Sequence, residues 1–292
     1  MKKVLVIGGT TFDSIVYLDK LPQGQPQTLF ASSPLNETLG STGAGKALNL
    51  TKLGIDTTLH SVIGDDEYGH KIIRKLKDAG VNFEYDFDPL GTERHVNLLD
   101  PLGQRISIFV TQGSAQPALD LERLEKLIME CDIVVLNIIS YTKQLIKLIE
   151  KHQKPIWTDL HDYNLENQYH QPYIEAANYI FVSSDNLPEY HETMLQWMSQ
   201  GKELIVCTHG SGGATALTKT GEWIELPIIS DYKFKDANGA GDSFFSGFLY
   251  AYLNGKSIID CMKYATILWG LCISSYELAH EKLSAELVEQ HF

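Results

Sequence analysis

Asp236-Ala237-Asn238-Gly239-Ala240-Gly241-Asp242 brings together the residue types that phosphoryl transfer to a hydroxyl requires. Gly239 and Gly241 let a ligand approach the backbone with no Cβ in the way. Behind them Phe244, Phe245, Phe248, Leu249, Tyr252 and Leu253 recur at helical spacing, and Asn254-Gly255 is the stop. Free N–H groups at the start of that helix attract an anion, and the macrodipole adds to the attraction. Asp242, in the first turn, supplies a carboxylate that can take the hydroxyl proton. Taken alone, the stretch also reads as an ordinary loop-to-helix junction with an acidic first turn.

Six other stretches carry residues that could do chemistry. In Ile7-Gly8-Gly9-Thr10-Thr11-Phe12-Asp13 a glycine pair ends the first strand, and Asp13 either holds sugar hydroxyls or is a turn aspartate. The dinucleotide fingerprint is not completed there. Gly40-Ser41-Thr42-Gly43-Ala44-Gly45-Lys46-Ala47 almost spells a Walker A loop. Ala47 cannot hold Mg²⁺ as Ser or Thr would, and no strand is read as running directly into the loop, so a P-loop is rejected. Its exposed amides suit substrate hydroxyls at the start of a helix ending near Leu53-Gly54, and Lys46 reads as a solvated lysine. Gly64-Asp65-Asp66-Glu67-Tyr68-Gly69 reads as a loop capping a helix after Asp65, in preference to a calcium site. Thr208-His209-Gly210-Ser211-Gly212-Gly213 suits a nucleotide and its phosphates, a tight hairpin into Ala214–Thr218, or both. Asn186-Leu187-Pro188-Glu189 either arranges the water shell of Mg²⁺ or starts a helix with Pro188 at its first position. In Asp159-Leu160-His161-Asp162 the metal signal is weak, and Asp159 reads as lining a cleft or ordering loops.

The elements that must position these residues alternate between strand and helix patterns. Candidate strands are Lys3–Ile7, Thr57–Ile63, Asp132–Asn137, Pro155–Asp159, Tyr179–Ser183 and Glu203–Thr208. Candidate helices lie near Ala44–Leu53, Glu67–Ala79, Leu121–Glu130, Thr142–Lys151 and Pro188–Ser199. This order predicts an α/β fold with a mostly parallel sheet covered by helices. Two regions break the alternation: turn-rich Ile15–Leu39, and a hairpin of Arg94–Leu99 and Gln104–Val110 around Asp100-Pro101-Leu102-Gly103. Together they suit a small β-lid.

At 292 residues the chain suffices for one large α/β domain. A net charge of −13 with no Lys/Arg cluster argues against nucleic acid. The four cysteines, Cys131, Cys207, Cys261 and Cys272, have no paired spacing and read as buried thiols in a reducing cytoplasm. Val4–Ile7 is too short for a signal peptide, and no apolar run reaches membrane-spanning length.

Taken together, these stretches resemble the ribokinase-like carbohydrate kinases, the PfkB family, over nearly the whole chain. The match is most specific at Asp236–Phe244, and Asp13, Leu53-Gly54, Gly64-Asp65-Asp66-x-x-Gly69 and Thr208-x-Gly210-x-x-Gly213 follow in the same order. The resemblance implies a three-layer α/β/α sandwich forming a single domain over 1–292, with lid segments near 15–39 and 94–110. It implies ATP-dependent phosphorylation of a primary hydroxyl of a sugar or sugar-like molecule. Asp242 would be the base, with Gly239, Ala240 and Gly241 the anion hole. Asp13, Gly43, Gly45 and Asn137 would bind the sugar, and Thr208, Gly210 and Gly213 the ATP. Asn186 and Glu189 would organise Mg²⁺ through water, with Ser183 or Ser184 as a substitute for the Asn. Asp236 would shape a loop for a monovalent cation such as K⁺.

The chain departs from the family pattern at Ser41, where a Gly is usual, and at Gly45, where a sugar-binding Asn is usual. The helix containing Ala265–Gly270 lacks the Asn often found near the adenine. These departures keep open a nucleoside kinase, for which Phe12, Phe109 and Tyr163 would meet a base. Four arginines are sparse equipment for a phosphosugar, although Arg94 and Arg105 in the lid segment keep a phosphosugar kinase open. A non-catalytic sugar or nucleotide sensor and an NAD(P)H-dependent oxidoreductase are the readings from other classes. A cytoplasmic protein without nucleic-acid or membrane partners is expected, with a homodimer through the lid edges.

Overall fold

A computed structural model describes residues 2–228 and 232–292. Among them, β1 (Lys3–Ile7), β4 (Asp56–Ile63), β5 (Asn82–Phe87), β8 (Ile133–Leu136), β9 (Ile156–Asp159), β10 (Tyr179–Ser183), β11 (Leu204–Thr208), β12 (Ala214–Thr218) and β13 (Trp223–Leu226) form one sheet. Its order is β13-β12-β11-β10-β9-β8-β1-β4-β5, parallel from β11 to β5, with β12 and β13 antiparallel at one edge. The central strands are buried on both faces. In β1, Val4 and Val6 join one core cluster while Leu5 and Ile7 join the other. A continuous apolar run is what such a doubly covered strand needs.

Helices α1 (Thr42–Lys52), α2 (Glu67–Asp78), α7 (Ala240–Leu253), α8 (Ile258–Ile273) and α9 (Ala285–His291) contribute to the first cluster. Helices α3 (Leu121–Glu130), α4 (Ile146–Lys151), α5 (Gln171–Ala176) and α6 (Tyr190–Ser199) pack in the second. The result is the expected three-layer α/β/α arrangement. Trp157 on β9 stacks on Tyr179 and meets Phe245 and Phe248 of α7, which ties the helix bearing Asp242 to the middle of the sheet. Each such buried aromatic contributes roughly 1.5–3 kcal/mol over an exposed one.

A second, four-stranded sheet has the order β3-β2-β6-β7, from β2 (Thr11–Tyr17), β3 (Asn36–Gly40), β6 (Arg94–Leu99) and β7 (Arg105–Thr111). Its hairpin turns at Asp100, whose carboxylate accepts the N–H groups of Leu102 and Gln104.

Several expectations are corrected. Asp13 lies inside strand β2, not on a turn. A strand, β3, does run into α1, although it belongs to the small antiparallel sheet. The cap of α2 is Asp66, not Asp65: its carboxylate accepts the N–H groups of Tyr68 and Gly69 and the hydroxyl of Thr92. The helix read over Thr142–Lys151 divides into a 3₁₀ segment, Ser140–Leu145, and α4. Helix α6 starts at Tyr190, with Glu189 as its cap residue, so Pro188 precedes it.

Candidate active site

The start of α7 is set by Gly239, whose φ of 79° is one that glycine adopts readily. A Cβ there would stand 2.8 Å from the Leu278 carbonyl oxygen, so the position is closed to larger residues. The N–H of Ala240 turns back to the Ala237 carbonyl at 3.2 Å, and Ser243 N–H donates to the Gly239 carbonyl at 2.9 Å. The amides of Gly241 and Asp242 between them find no acceptor among the described residues. At Gly241 a Cβ would meet nothing within 4 Å, so a side chain there would project into the open cleft. Asn238 Nδ2, on the lining of the same cleft, is buried without a partner.

Asp242 is 6 % exposed at the floor of this cleft. Its Oδ1 accepts from Lys46 Nζ at 2.5 Å, and the same ammonium reaches Asp159 Oδ2 at 3.1 Å. The solvated lysine expected at position 46 is therefore a buried one. Its Nζ also lies 5.0 Å from the Phe245 ring centre. With its ammonium held by two carboxylates, Lys46 is unavailable as a P-loop lysine. Burial pushes the Asp242 carboxyl above the usual carboxylate range, against the pull of Lys46 and His161. Asp159 moves the other way, because His161 and Lys46 outweigh its burial. For Lys46 the two carboxylates outweigh burial and hold the ammonium charged.

Asp13 forms the opposite wall. It accepts from Thr11 Oγ1 at 2.7 Å and from Asn97 Nδ2 at 3.2 Å, and its Oδ1 lies 3.6 Å from His95 Nδ1. His95 Nε2 lies 3.0 Å from Glu93 Oε1. Burial alone would lower the His95 pKa, but the flanking Asp13 and Glu93 carboxylates raise it to about 9.

Three chambers adjoin at this point. One of about 450 Å³ contains Asp13, Asn97, Asn238, Gly239 and Asp242. A second, of about 730 Å³, runs past the carboxyl ends of β10 and β11 and contains Thr208, Gly210, Gly213, Phe234 and Trp269. Ala240, Gly241, Arg105 and His161 line both. A third, of about 620 Å³, joins the first through Ser41, Thr42, His95, Phe109 and His161 and extends to Asp88, Glu93 and Tyr169. Ligands of α/β sheets bind beyond the carboxyl ends of strands, as here.

The other expected site residues take different places. Thr208, Gly210 and Gly213 line the second chamber, and Gly213 also turns the hairpin into β12. Gly43 and Gly45 are buried behind the cleft, Gly43 against the Gly9 carbonyl and Gly45 against Asp242. Ser41 and Thr42 line it instead. Asn137 uses its amide internally, donating to the Ile7 carbonyl and accepting from Thr42. Asn186 and Glu189 are exposed and off the chamber lining, where Asp162 and Asp185 stand. Asp236 accepts from the Asn238 N–H and the Tyr17 hydroxyl, and burial raises its pKa. Phe12 packs in the core and Tyr163 against Trp197, so of the three aromatics considered for a base only Phe109 lines the cleft. Arg94 stacks on Tyr68, 3.6 Å from the ring centre, and lines none of the three chambers. Sequence reasoning missed the role of Lys46, and also His95, Asn97 and Asn238. For Asn238 the signal was present, since it lies inside the glycine stretch itself.

The model of the pfkB family carbohydrate kinases matches residues 1–282. An acarbose 7(IV)-phosphotransferase of an Actinoplanes species is 28% identical over 272 residues, covering 90% of this chain and 89% of the relative. The solved structure of a microbiome-derived acarbose kinase superposes with a TM-score of 0.89 at 26% identity, covering 99% of this chain and 98% of that one. Arabidopsis thaliana ribokinase, solved with ribose and ATP, has a TM-score of 0.81 at 20% identity, with 99% and 98% covered.

Proposed function

The chain belongs to the pfkB family of carbohydrate kinases, and from that premise we propose that it transfers the γ-phosphoryl group of ATP to a primary hydroxyl of a sugar or sugar-like molecule, with Asp242 as the base. One observation carries the reading. Asp242 stands where the chamber containing Asp13 meets the chamber containing Thr208 and Gly210, beside the unengaged amides of Gly241 and Asp242.

The acceptor lies between Asp13 and Asp242, and ATP lies along Thr208, Gly210 and Gly213 with its γ-phosphate toward Gly241. The acceptor O–H bond breaks, its proton passes to Asp242, and the oxygen attacks phosphorus. The bond to the bridging β,γ-oxygen breaks and ADP leaves. Within the expected Gly239–Gly241 anion hole the Ala240 N–H is already engaged, so the free amides of Gly241 and Asp242, with Asn238 Nδ2 and Arg105, stabilise charge on the transferred group. Apolar walls at Phe234 and Trp269 and the glycine backbone fit a nucleotide. Asp162 and Asp185 would hold the waters of its Mg²⁺, a metal that keeps several waters. Asp236 would shape a K⁺ loop without giving up its two hydrogen bonds. The small sheet would act as a lid within a single domain, excluding water from the transfer.

The third chamber supports an acceptor longer than one ring. Phe109 and Tyr169 offer faces for stacking, and Asp88 and Glu93 offer hydroxyl acceptors. A nucleoside acceptor has less support, since Phe12 and Tyr163 are engaged elsewhere.

The test is ADP release from MgATP with ribose, glucose, maltotriose, acarbose, adenosine and sugar phosphates, for the wild type and Asp242→Asn. Turnover with a sugar class, reduced about 10²–10⁴-fold in the variant with ATP binding kept, is the expected result. Near wild-type turnover by Asp242→Asn overturns the assignment.

A further inference from the structure

We propose that Lys46 is a positioning residue for the base: it clamps Oδ1 of Asp242, keeps the carboxylate ionised and leaves Oδ2 for the acceptor hydroxyl, with Asp159 as its permanent counter-ion. The inference rests on Asp242 being the base.

The geometry is specific. Lys46 is fully buried, with its ammonium between Asp242 Oδ1 and Asp159 Oδ2. On the other side of the carboxylate stands Gly45, where a Cβ would come 2.6 Å from Asp242 Oδ2. The glycine thus leaves room at the oxygen that Lys46 does not hold. Two neighbouring residues of α1 divide the carboxylate between them, one gripping an oxygen and the other keeping the second clear.

Two acids around one lysine also answer a problem of the reaction. A buried carboxylate without a cation tends to take a proton and cease to be a base. A buried ammonium paired only with the base would be left unpaired when the base accepts the substrate proton, a costly state. Asp159 removes that difficulty, because Lys46 keeps a partner throughout the cycle. Besides Lys46 and Asp159, His161, after β9, acts on Asp242, and the Asp242 charge in turn reaches the buried Cys272 thiol on α8.

The Asp242 carboxyl can be titrated by ¹³C NMR, assigned through Asp242→Asn, alongside the pH profile of kcat/KM with MgATP and the best acceptor. Two variants separate the effects. Asp159→Asn is nearly isosteric and leaves Lys46 to Asp242 alone. Lys46→Met with Asp159→Asn keeps the triad's net charge of −1 while removing the ammonium. The Asp242 midpoint and the acid limb are expected to fall in the single variant and to rise by roughly a unit in the double variant. A drop in kcat of about tenfold or more in the double variant, with KM for MgATP little changed, completes the expected pattern. Midpoints equal to wild type in folded protein overturn the proposal, and Asp159→Asn alone decides if the double variant does not fold. An inactive Asp242→Asn with unmoved midpoints sinks this inference only, whereas an active Asp242→Asn sinks the base as well.

Discussion

His95 carries its positive charge because Asp13 and Glu93 flank it, and the sign of its contribution to stability follows. Its pKa is raised from 6.5 to about 9 in the folded chain. The stabilisation is therefore fully present below about 6.5 and is lost as pH rises through about 9. Urea melts of the wild type and His95→Gln at pH 6 and pH 9.5 should show the wild-type advantage shrinking at the higher pH. An advantage that does not change with pH contradicts a charged His95. The triad at Lys46 illustrates what the sequence hides at this scale. Its partners Asp159 and Asp242 lie 113 and 196 residues away, so a lysine among glycines and alanines looked solvated. Asp242 itself was legible because its whole local setting, glycines before and an apolar helix after, is contiguous. Ser41, at φ 70° on the cleft wall, was noticed only as a departure from a usual glycine, and its backbone strain was not foreseen.

Helix α7 depends on one residue for its entry. Gly239→Ala must hold a left-handed backbone, which costs about 1–2 kcal/mol, and must also push against the Leu278 carbonyl oxygen. The expected outcome is a clear drop in melting temperature and a fall in kcat larger than the change in KM. A variant with unchanged melting and turnover contradicts the rigid entry. The central strands of the main sheet were readable to within a few residues, because strands buried on both faces are apolar runs, whereas the half-exposed edge strands β5 and β13 and the short helices α5 and α9 were not read. The small sheet was read less well. β2 pairs in parallel with β6 some eighty positions later, as at Ser14 opposite Val96, and its polar residues Thr11, Asp13 and Ser14 gave no strand pattern. Asn186-Leu187-Pro188-Glu189 was ambiguous for another reason: its composition suits a helix start first and a metal shell second, and the residues stand exposed, off the chamber lining.

At the scale of the whole molecule, the small sheet carries Asp13, His95 and Arg105 to the cleft, while Ile106, Ile108, Phe109 and Val110 of β7 remain exposed. If this sheet is the lid, MgATP with an acceptor sugar should draw it toward α7. Small-angle scattering should then record a radius of gyration smaller by about an ångström, since domain closure of this kind is a collective rigid motion. An unchanged radius at saturation would remove the lid reading. Among the described residues no helix is long and apolar enough to cross a membrane.

His161 stands on the wall of all three chambers, in a left-handed backbone with φ 53°, its N–H fixed to Asp159 Oδ1 at 3.0 Å. A molecule entering any one chamber changes the surroundings of the same ring. The same imidazole therefore faces whatever fills each chamber, and it sits where the three volumes come within one ring's width of each other.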